Sequence, residues 1–257
     1  MGIDNINRAL QTKKLAKQNI FVPYIMAGDG GLDKLERQIS FLEECGVTAI
    51  ELGIPFSDPV ADGPTVQAAG ERALAHGTTL AGVLALLRQT KVKRNVPIIL
   101  MTYFNPIYIY GIERFTLECL EAGVDGVIIP DLPLEEEHIV DQTFKDHSLA
   151  LIRLVALTST PERIDEMMKR AEGFLYAVSV TGTTGARSAH DESVFTYLAD
   201  LKKKSPVPVL AGFGISSPEQ AKALSRACDG VIVGSKIVDL LHQGRYEELK
   251  LFIEHSL

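Results

Sequence analysis

Short apolar runs rich in β-branched residues recur along the whole chain, and this recurrence constrains the fold more than any other feature. There are eight such runs in 257 residues. Each has the length and composition of a strand that is buried on both faces, as strands of parallel sheets are. The runs are IFVPYIMAG from Ile20, TAIELG from Thr48, VPIILMTY from Val96, VDGVIIPD from Val124, LALIRLVAL from Leu149, GFLYAVSV from Gly173, VPVLAGFG from Val207 and DGVIVGS from Asp229.

Amphipathic helical patterns separate these runs. In LDKLERQISFLEECG, for example, Leu35, Ile39 and Leu42 fall on one stripe. Strands that alternate with helices indicate parallel βαβ units. Because the chain shows no linker and no GxGxxG after its first run, a closed barrel is favoured over an open nucleotide-binding sheet. We therefore predict one (β/α)8 barrel domain over residues 1–257.

An extra helix is expected before the first strand. It is predicted from about Ile3 to Lys17, with Ile3, Ile6, Leu10 and Leu15 roughly on one face. Such a segment has no place in the βα repeat, so we expect it to cover the bottom of the barrel.

Composition excludes several classes of protein. A net charge of −7 argues against nucleic acid as the main partner. The three cysteines, Cys45, Cys119 and Cys228, have neither CxxC spacing nor nearby histidines, which argues against zinc and favours buried, reduced thiols. The polar N-terminus and the lack of a run of about 20 apolar residues predict a cytoplasmic protein without a membrane anchor.

Two carboxylates follow the second run, in ELGIPFSDPVADGP. Active sites of such barrels lie at the C-terminal ends of the strands, and Glu51 can point into the mouth of the barrel there. A poorly solvated carboxylate has a raised pKa and can act as a general acid or base, although a strand-end salt bridge is the alternative. Asp62 can fold back over the same cavity as a second acid. Asp58 and Asp62 also have the sequence of turn formers, since they precede Pro59 and Gly63.

Glycines mark the ends of the last two runs. Gly212 and Gly214 end the seventh, and Gly234 and Ser235 lie between the eighth run and a helical pattern. Loops after strands seven and eight form the recurrent phosphate site of this fold, because helix N-termini bind anions. The Gly-rich loop TGTTGARS after the sixth run is expected to be a lid, and Arg187 within it either binds phosphate or anchors the loop.

Several of these motifs together resemble the tryptophan synthase alpha subunit family. The resemblance runs from about residue 3 to the end, with the motifs in the family's order. They are FVPYIMAGDGG, ELGIPFSDPVADGP, MTYFNPIYIYGIERF, IPDLPLEE, TGTTGARS and GFGISSPEQ.

The resemblance implies a lyase that cleaves indole-3-glycerol phosphate to indole and glyceraldehyde 3-phosphate without a metal or organic cofactor. It implies that Glu51 is the general acid/base and that Asp62 holds the indole N–H. Further substrate contacts are implied for Tyr176, Phe21, Met101, Ile129, Ile152, Thr184 and Phe213. Phosphate contacts are implied for Gly185, Gly214, Gly234 and Ser235. The chain departs from the pattern at Met101, where some relatives have Leu, and at Thr183, where Val is common.

The resemblance also implies a partner. Family members work with a pyridoxal-phosphate β subunit in an α2β2 complex that passes indole through a tunnel. One implied contact surface is the loop of Pro55, Phe56, Ser57 and Asp58. The other is an exposed loop that contains Asn105, Pro106, Tyr108 and Tyr110.

Two other functions remain open from the sequence. One is a stand-alone lyase of the same chemistry that releases free indole, and the other is a non-catalytic activator that retains only the partner surface. The presence of both Glu51 and Asp62 weighs against the second.

Overall fold

Parallel strands form the centre of the protein in a computed structural model that describes residues 2–178 and 192–257. All pairings between the described strands are parallel. The strands are β1 Ile20–Met26, β2 Ile50–Gly53, β3 Ile98–Met101, β4 Gly126–Ile128, β5 Ala150–Leu151, β6 Arg153–Ala156, β7 Leu175–Val178, β8 Val209–Gly212 and β9 Gly230–Val233.

The strand order closes the sheet into a barrel. It runs β5-β4-β3-β2-β1-β9-β8-β7-β6, and the two end strands are separated in the chain by Ile152 alone. The fifth predicted strand is therefore interrupted rather than continuous. Its first part pairs with β4 and its second with β7, and the N–H of Ile152 still donates to the carbonyl of Val127 at 2.9 Å. Eight strand positions close the barrel, as predicted.

Helices cover the outside of the barrel. Two of the described connections between strands hold two helices each, and two more helices follow the last strand. This explains the long spacing between the second and third predicted strands, where α3 and α4 both lie. The described helices are α1 Ile3–Leu15, α2 Leu35–Glu44, α3 Pro64–Ala75, α4 Leu80–Thr90, α5 Phe104–Tyr110, α6 Ile112–Ala122, α7 His138–Asp146, α8 Pro161–Arg170, α9 Glu192–Lys204, α10 Pro218–Ala227, α11 Ser235–His242 and α12 Tyr246–Ser256.

Side-chain alternation divides the core into two layers. Along β1, Ile20 and Val22 belong to an apolar cluster inside the barrel, which we call the inner cluster. Phe21 and Ile25 belong to a larger cluster between the sheet and the helices, which we call the outer cluster. Alternate strand residues point to opposite faces, so each strand feeds both clusters. The two clusters fix the register of the strands, because a one-residue slip would exchange their members.

The N-terminal helix α1 covers the bottom of the barrel, as predicted. Its Ile6 and Leu10 are buried in the inner cluster, and the Asp125 carboxylate accepts from the Gly2 N–H at 2.9 Å. Leu15 does not share this face and is exposed. The helix stops there rather than at Lys17, because Lys17 has a φ of 53° and leaves the right-handed helical region.

The three cysteines are buried, as predicted. Among the described residues, none of the helices is long and apolar enough to span a membrane.

Candidate active site

Glu51 lies inside the barrel near the C-terminal end of β2. Its neighbours Ile50 and Leu52 both belong to the outer cluster, so alternation turns Glu51 inward, beside Tyr24 of β1 and Ile99 of β3. The residue is 1% exposed. Its Oε2 has no hydrogen-bond partner in the described part of the chain. A buried carboxylate oxygen without a partner is costly and requires an explanation, of which a catalytic role is one.

Burial changes the acidity of Glu51. Loss of solvent raises its pKa to about 8, and the negative charge of Asp62 contributes to the increase. A carboxyl group with this pKa is mostly protonated at pH 7 and can donate a proton. The prediction of a poorly solvated acid at the barrel mouth is confirmed.

Asp62 is half-buried in the loop between β2 and α3. It lies close enough to Glu51 for its negative charge to raise the pKa of Glu51. Burial raises its pKa to about 6, and a hydrogen bond from the Tyr103 hydroxyl opposes the increase. Asp62 is therefore mostly ionised at pH 7, while Glu51 is mostly protonated. Different environments thus separate the two acids into different protonation states.

Three tyrosines surround the two acids, and the sequence predicted only Tyr176. Burial, followed by the charges of Glu51 and Asp62, raises the pKa of Tyr24 well above its usual value. Tyr176 is affected in the same way by burial and Glu51. The Tyr103 hydroxyl accepts a hydrogen bond from the Ala61 N–H at 2.9 Å, and this bond restrains the loop that carries Asp62. The alternation of β1 could have identified Tyr24, since it lies on the same face as Val22.

Two glycines make room for the rings of these tyrosines. A Cβ on Gly53 would lie 2.1 Å from the Tyr24 hydroxyl oxygen, and a Cβ on Gly212 would lie 2.4 Å from Cε2 of Tyr176. Any side chain other than hydrogen at either position would require the tyrosine ring to move. The glycines at the ends of β2 and β8 therefore let the tyrosine rings lie across the barrel mouth beside Glu51.

The glycine-rich ends of β8 and β9 lie at the same rim. Gly214 has a φ of 63°, and Gly234 precedes α11, whose first residue is Ser235. The N–H groups of Ile237 and Val238 both bond to the Gly234 carbonyl, at 2.8 and 3.0 Å. A Cβ on Gly234 would lie 3.7 Å from the Tyr24 Cβ, so the start of α11 is close to the tyrosine beside Glu51. The first N–H groups of a helix lack partners within the helix and can bind an anion.

The predicted lid residues lie outside the described residues. These include the expected substrate contact Thr184, the expected phosphate contact Gly185, and Arg187.

The predicted apolar walls are placed correctly only in part. Met101 and Ile152 pack with the inner cluster. Phe21 instead belongs to the outer cluster, because alternation turns it toward the helices, and its ring lies 6.3 Å from that of Phe252 in α12. Phe213, which follows the end of β8, belongs to the same cluster. Ile129 also belongs to the outer cluster.

The inward-facing neighbours of these positions were missed. Ile128 belongs to the inner cluster, where Ile129 was predicted to be, and Leu154 packs against the same cluster. Strict two-residue alternation from Gly126 would have identified Ile128.

A cavity of about 270 Å³ lies at the side of β4, β5 and β6. Its lining includes the backbone or side chains of Ile129 and Ile152, together with Arg163 and Met167 of α8. It does not include Glu51 or Asp62, so it is separate from the paired acids.

The predicted partner surface differs from expectation in its second half. Phe104–Tyr110 forms helix α5 rather than a loop. Asn105 and Tyr108 are exposed on it, while Pro106 and Tyr110 are half-buried. Sequence reasoning missed Ile109, which is 76% exposed.

In the first half of that surface, Pro55 is buried, and exposure begins beyond it. Phe56 is half-buried, with its ring 5.3 Å from that of Tyr103, and Ser57 and Asp58 are exposed. The expected contact surface on this loop is thus limited to Phe56, Ser57 and Asp58.

In residues 2–178 and 192–257, no group of three His, Cys, Asp or Glu side chains is arranged to bind a metal ion.

Sequence comparison supports the same family. The family model described as tryptophan synthase alpha chain matches residues 10–255. The tryptophan synthase alpha chain of Oceanobacillus iheyensis is 56% identical over 257 residues, covering 100% of this chain and 98% of the relative. That of Bacillus cereus is 48% identical over 249 residues, covering 97% and 95%.

Solved structures agree with the sequences. Tryptophan synthase subunit alpha from Legionella pneumophila superposes with a TM-score of 0.91 at 34% identity, covering 100% of this chain and 97% of the other. A chain of Mycobacterium tuberculosis tryptophan synthase gives a TM-score of 0.90 at 32% identity, covering 98% and 96%. The chain therefore belongs to the tryptophan synthase alpha chain family, whose barrel it shares over its whole length.

Proposed function

We propose that this chain catalyses the alpha reaction of tryptophan biosynthesis, the retro-aldol cleavage of indole-3-glycerol phosphate to indole and glyceraldehyde 3-phosphate. The observation that carries the proposal is the pair of acids at the barrel mouth, one with a pKa of about 8 and the other of about 6. The test is release of indole from indole-3-glycerol phosphate by the purified protein, followed with and without a β subunit.

Glu51 handles the protons of this reaction. Its carboxylic acid donates a proton to C3 of the indole ring, which gives an indolenine-like cation. The carbon–carbon bond then breaks, its electron pair returns to the ring, and the carboxylate of Glu51 takes the proton of the glycerol hydroxyl as that carbon becomes an aldehyde. Glu51 ends the cycle protonated, as it began, so no proton is gained or lost.

Asp62 stabilises the charge that develops on the ring. Protonation at C3 places positive charge on the indole nitrogen, and an ionised carboxylate that accepts the N–H hydrogen bond lowers the energy of that state. The hydrogen bond from Tyr103 and the bond from the Ala61 N–H to Tyr103 hold the loop in place before the substrate binds.

The phosphate group is bound at the other side of the mouth. Backbone N–H groups near Gly214, Gly234 and Ser235 and the positive end of α11 suit a phosphate dianion. Thr184 and Gly185 of the lid would complete the site. Met101, Ile152 and Tyr176, together with Ile128 and Leu154, form the apolar wall for the indole ring.

The reaction needs no cofactor in this chain, since proton transfer and charge stabilisation by carboxylates are sufficient for cleavage. Pyridoxal phosphate would belong to the partner β subunit, which uses the indole.

The two pKa values predict a bell-shaped pH profile. Both are raised from their usual values, Glu51 from 4.5 and Asp62 from 3.8. Below about pH 6 Asp62 becomes protonated and loses its charge, and above about pH 8 Glu51 loses the proton that it must donate. We expect kcat/KM for indole release to be highest between these limits. An activity that stays constant well above pH 8 would contradict the role of Glu51 as the acid.

Gly53→Ala should impair catalysis without preventing folding. The new methyl group would displace the Tyr24 hydroxyl, 2.1 Å from the Cβ position, and with it the packing around Glu51. A displacement of about 1 Å can lower the rate by up to about 10²-fold. We expect a smaller displacement here and therefore a loss of kcat of at least about tenfold. The control is Gly70→Ala in α3, whose Cβ would meet only Met26 Cε at 3.6 Å. Equal kcat values for both variants would contradict this geometry.

The partner is proposed to be a β subunit in an α2β2 complex. The exposed surface of α5 and the residues Phe56 to Asp58 are continuous with the site, because Tyr103 precedes α5 and its hydroxyl contacts the Asp62 loop. Contact of a partner with α5 would therefore affect the position of Asp62 through Tyr103.

Ile109→Asp should abolish activation by the β subunit while the isolated chain keeps its own rate. Ile109 is 76% exposed on α5, and a charge there cannot be buried in an interface without a large cost. The control is Val92→Asp, since Val92 is 93% exposed in the segment that follows α4. The measurement is formation of glyceraldehyde 3-phosphate across a titration with β subunit, since the partner uses the indole. Normal activation of the Ile109 variant would place the interface elsewhere.

A further inference from the structure

Three charged or polar side chains from three separate elements come together at the rim of the barrel, beyond the C-terminal end of β1. Asp29 lies in the turn after β1, Arg72 in the last turn of α3, and His242 at the end of α11. Arg72 Nε and Nη2 donate to the two carboxylate oxygens of Asp29 at 2.7 and 2.8 Å. His242 Nδ1 lies 3.8 Å from Asp29 Oδ1. Asp29 is thus bonded to α3 through Arg72, while His242 of α11 lies near it but beyond hydrogen-bond distance.

This pair differs from an ordinary surface ion pair. The Asp29 side chain is only 10% exposed and that of Arg72 31%, whereas the Arg88–Glu121 pair is 57% and 58% exposed. A two-bond Arg–carboxylate contact fixes direction as well as distance, while exposed single contacts contribute little. The Asp29–Arg72 pair can therefore fix the position of α3.

The turn that carries Asp29 is itself closely packed against the end of α3. Gly28 has a φ of 79°, and a Cβ there would lie 1.9 Å from Oγ1 of Thr78, which follows the helix. The Asp29 N–H donates to the Met26 carbonyl at 3.3 Å. Asp29 is consequently held by its own backbone and is a fixed point for the helices rather than a mobile one.

The opposite ends of the same two helices lie at the site. α3 begins at Pro64, two residues after Asp62, and α11 begins at Ser235. Arg72 is roughly 12 Å along α3 from that beginning, at about 1.5 Å per residue. Between the ends, Ala69 and Ala73 of α3 pack with Val238 of α11 against β1. A shift of α3 relative to β1 would therefore move Asp62 relative to Glu51.

We propose that Asp29 is a positioning residue: through Arg72 it holds α3, which packs against α11, and so it sets the separation between Asp62 and the start of α11. The inference rests on the proposed function, since it assigns Asp29 a part in that reaction. Asp29 touches neither substrate nor reacting atoms and acts only through the two helices.

The test compares Asp29→Asn and Arg72→Lys with the wild type and with Glu121→Gln. The first variant keeps the shape of Asp29 but not its charge, the second keeps the charge of Arg72 but not its two-bond contact, and the third removes the charge of an exposed pair. We expect kcat for indole release to fall about tenfold in Asp29→Asn and less in Arg72→Lys, because small misplacements of catalytic groups are costly. KM and the inhibition constant of inorganic phosphate should rise in both, and Glu121→Gln should behave as wild type.

A structural role alone gives a different result. It would lower the melting temperature of the two variants but leave kcat, KM and phosphate inhibition unchanged at a temperature where the proteins are folded, and that outcome would overturn the proposal. If Asp29→Asn does not fold, Arg72→Lys decides by the same readouts. Wild-type protein that releases no indole would contradict the proposed function instead, which keeps the two failures apart.

Discussion

Glu51→Gln is expected to abolish indole release while the protein still folds and binds its substrate. The amide has the shape of the carboxylic acid but cannot donate a proton to C3 or accept one from the glycerol hydroxyl. General acid–base catalysis contributes about 10² to 10⁴ in rate, and both proton transfers are lost, so we expect a fall of about 10³-fold or more. The measurement is kcat for indole release, with substrate affinity determined separately.

Folding should survive this change for an electrostatic reason. Since burial raises the pKa of Glu51 to about 8, the side chain is mostly neutral at pH 7 and a neutral amide replaces it without loss of a charge. Circular dichroism should therefore match the wild type at pH 7. Ordinary turnover by the folded variant would show that another group moves the protons.

Asp62→Asn should produce the second largest loss, of order 10² or more in kcat. The amide still accepts the Tyr103 hydrogen bond that the Asp62 carboxylate accepts, so the loop should keep its position. What is lost is the negative charge opposite the developing charge on the indole nitrogen. The measurement is kcat and KM for indole release, and a change confined to KM would make Asp62 a positioning residue.

The same variant should change the pH profile. Asp62 contributes to the raised pKa of Glu51, after burial. Removing its charge should therefore move the alkaline limit of activity below about pH 8, in the direction of the usual Glu value. An alkaline limit that does not move would indicate that the two acids do not interact.

The sequence predicted the barrel well because its strands carry a strong signal. Each run is apolar on both faces and most are followed by a helical pattern, so the number of strands and their alternation with helices could be predicted from the sequence pattern. The break at Ile152 could not be predicted, since it depends on which neighbour each part of the strand pairs with. Helix α5 was missed for a different reason: NPIYIYG is too short, and too rich in turn residues, to show a helical period.

The candidate site was predicted where strand ends carry charge and less well where they carry apolar residues. Glu51 stands alone between two apolar residues, and this made its direction clear. Phe21 and Ile129 are surrounded by other apolar residues in the sequence. Whether their side chains face the barrel interior or the helices could be decided only by counting from a residue known to face inward. Both were assigned to the interior, but they belong to the outer cluster. Tyr103 was missed because its role depends on a contact with Ala61, a distant part of the chain, whereas strict alternation along β1 could have identified Tyr24.

The most direct test of the account is an indole-release assay on wild type and Glu51→Gln, each with and without a β subunit. We predict slow cleavage by the wild type alone and no cleavage by Glu51→Gln in either case. With the β subunit the wild type should be strongly activated, measured as formation of glyceraldehyde 3-phosphate because little indole is left free. Full activity of the wild type alone would instead indicate a stand-alone lyase. Release by Glu51→Gln at the wild-type rate, or none by the wild type under any condition, would contradict the assignment of Glu51 as the acid that cleaves indole-3-glycerol phosphate.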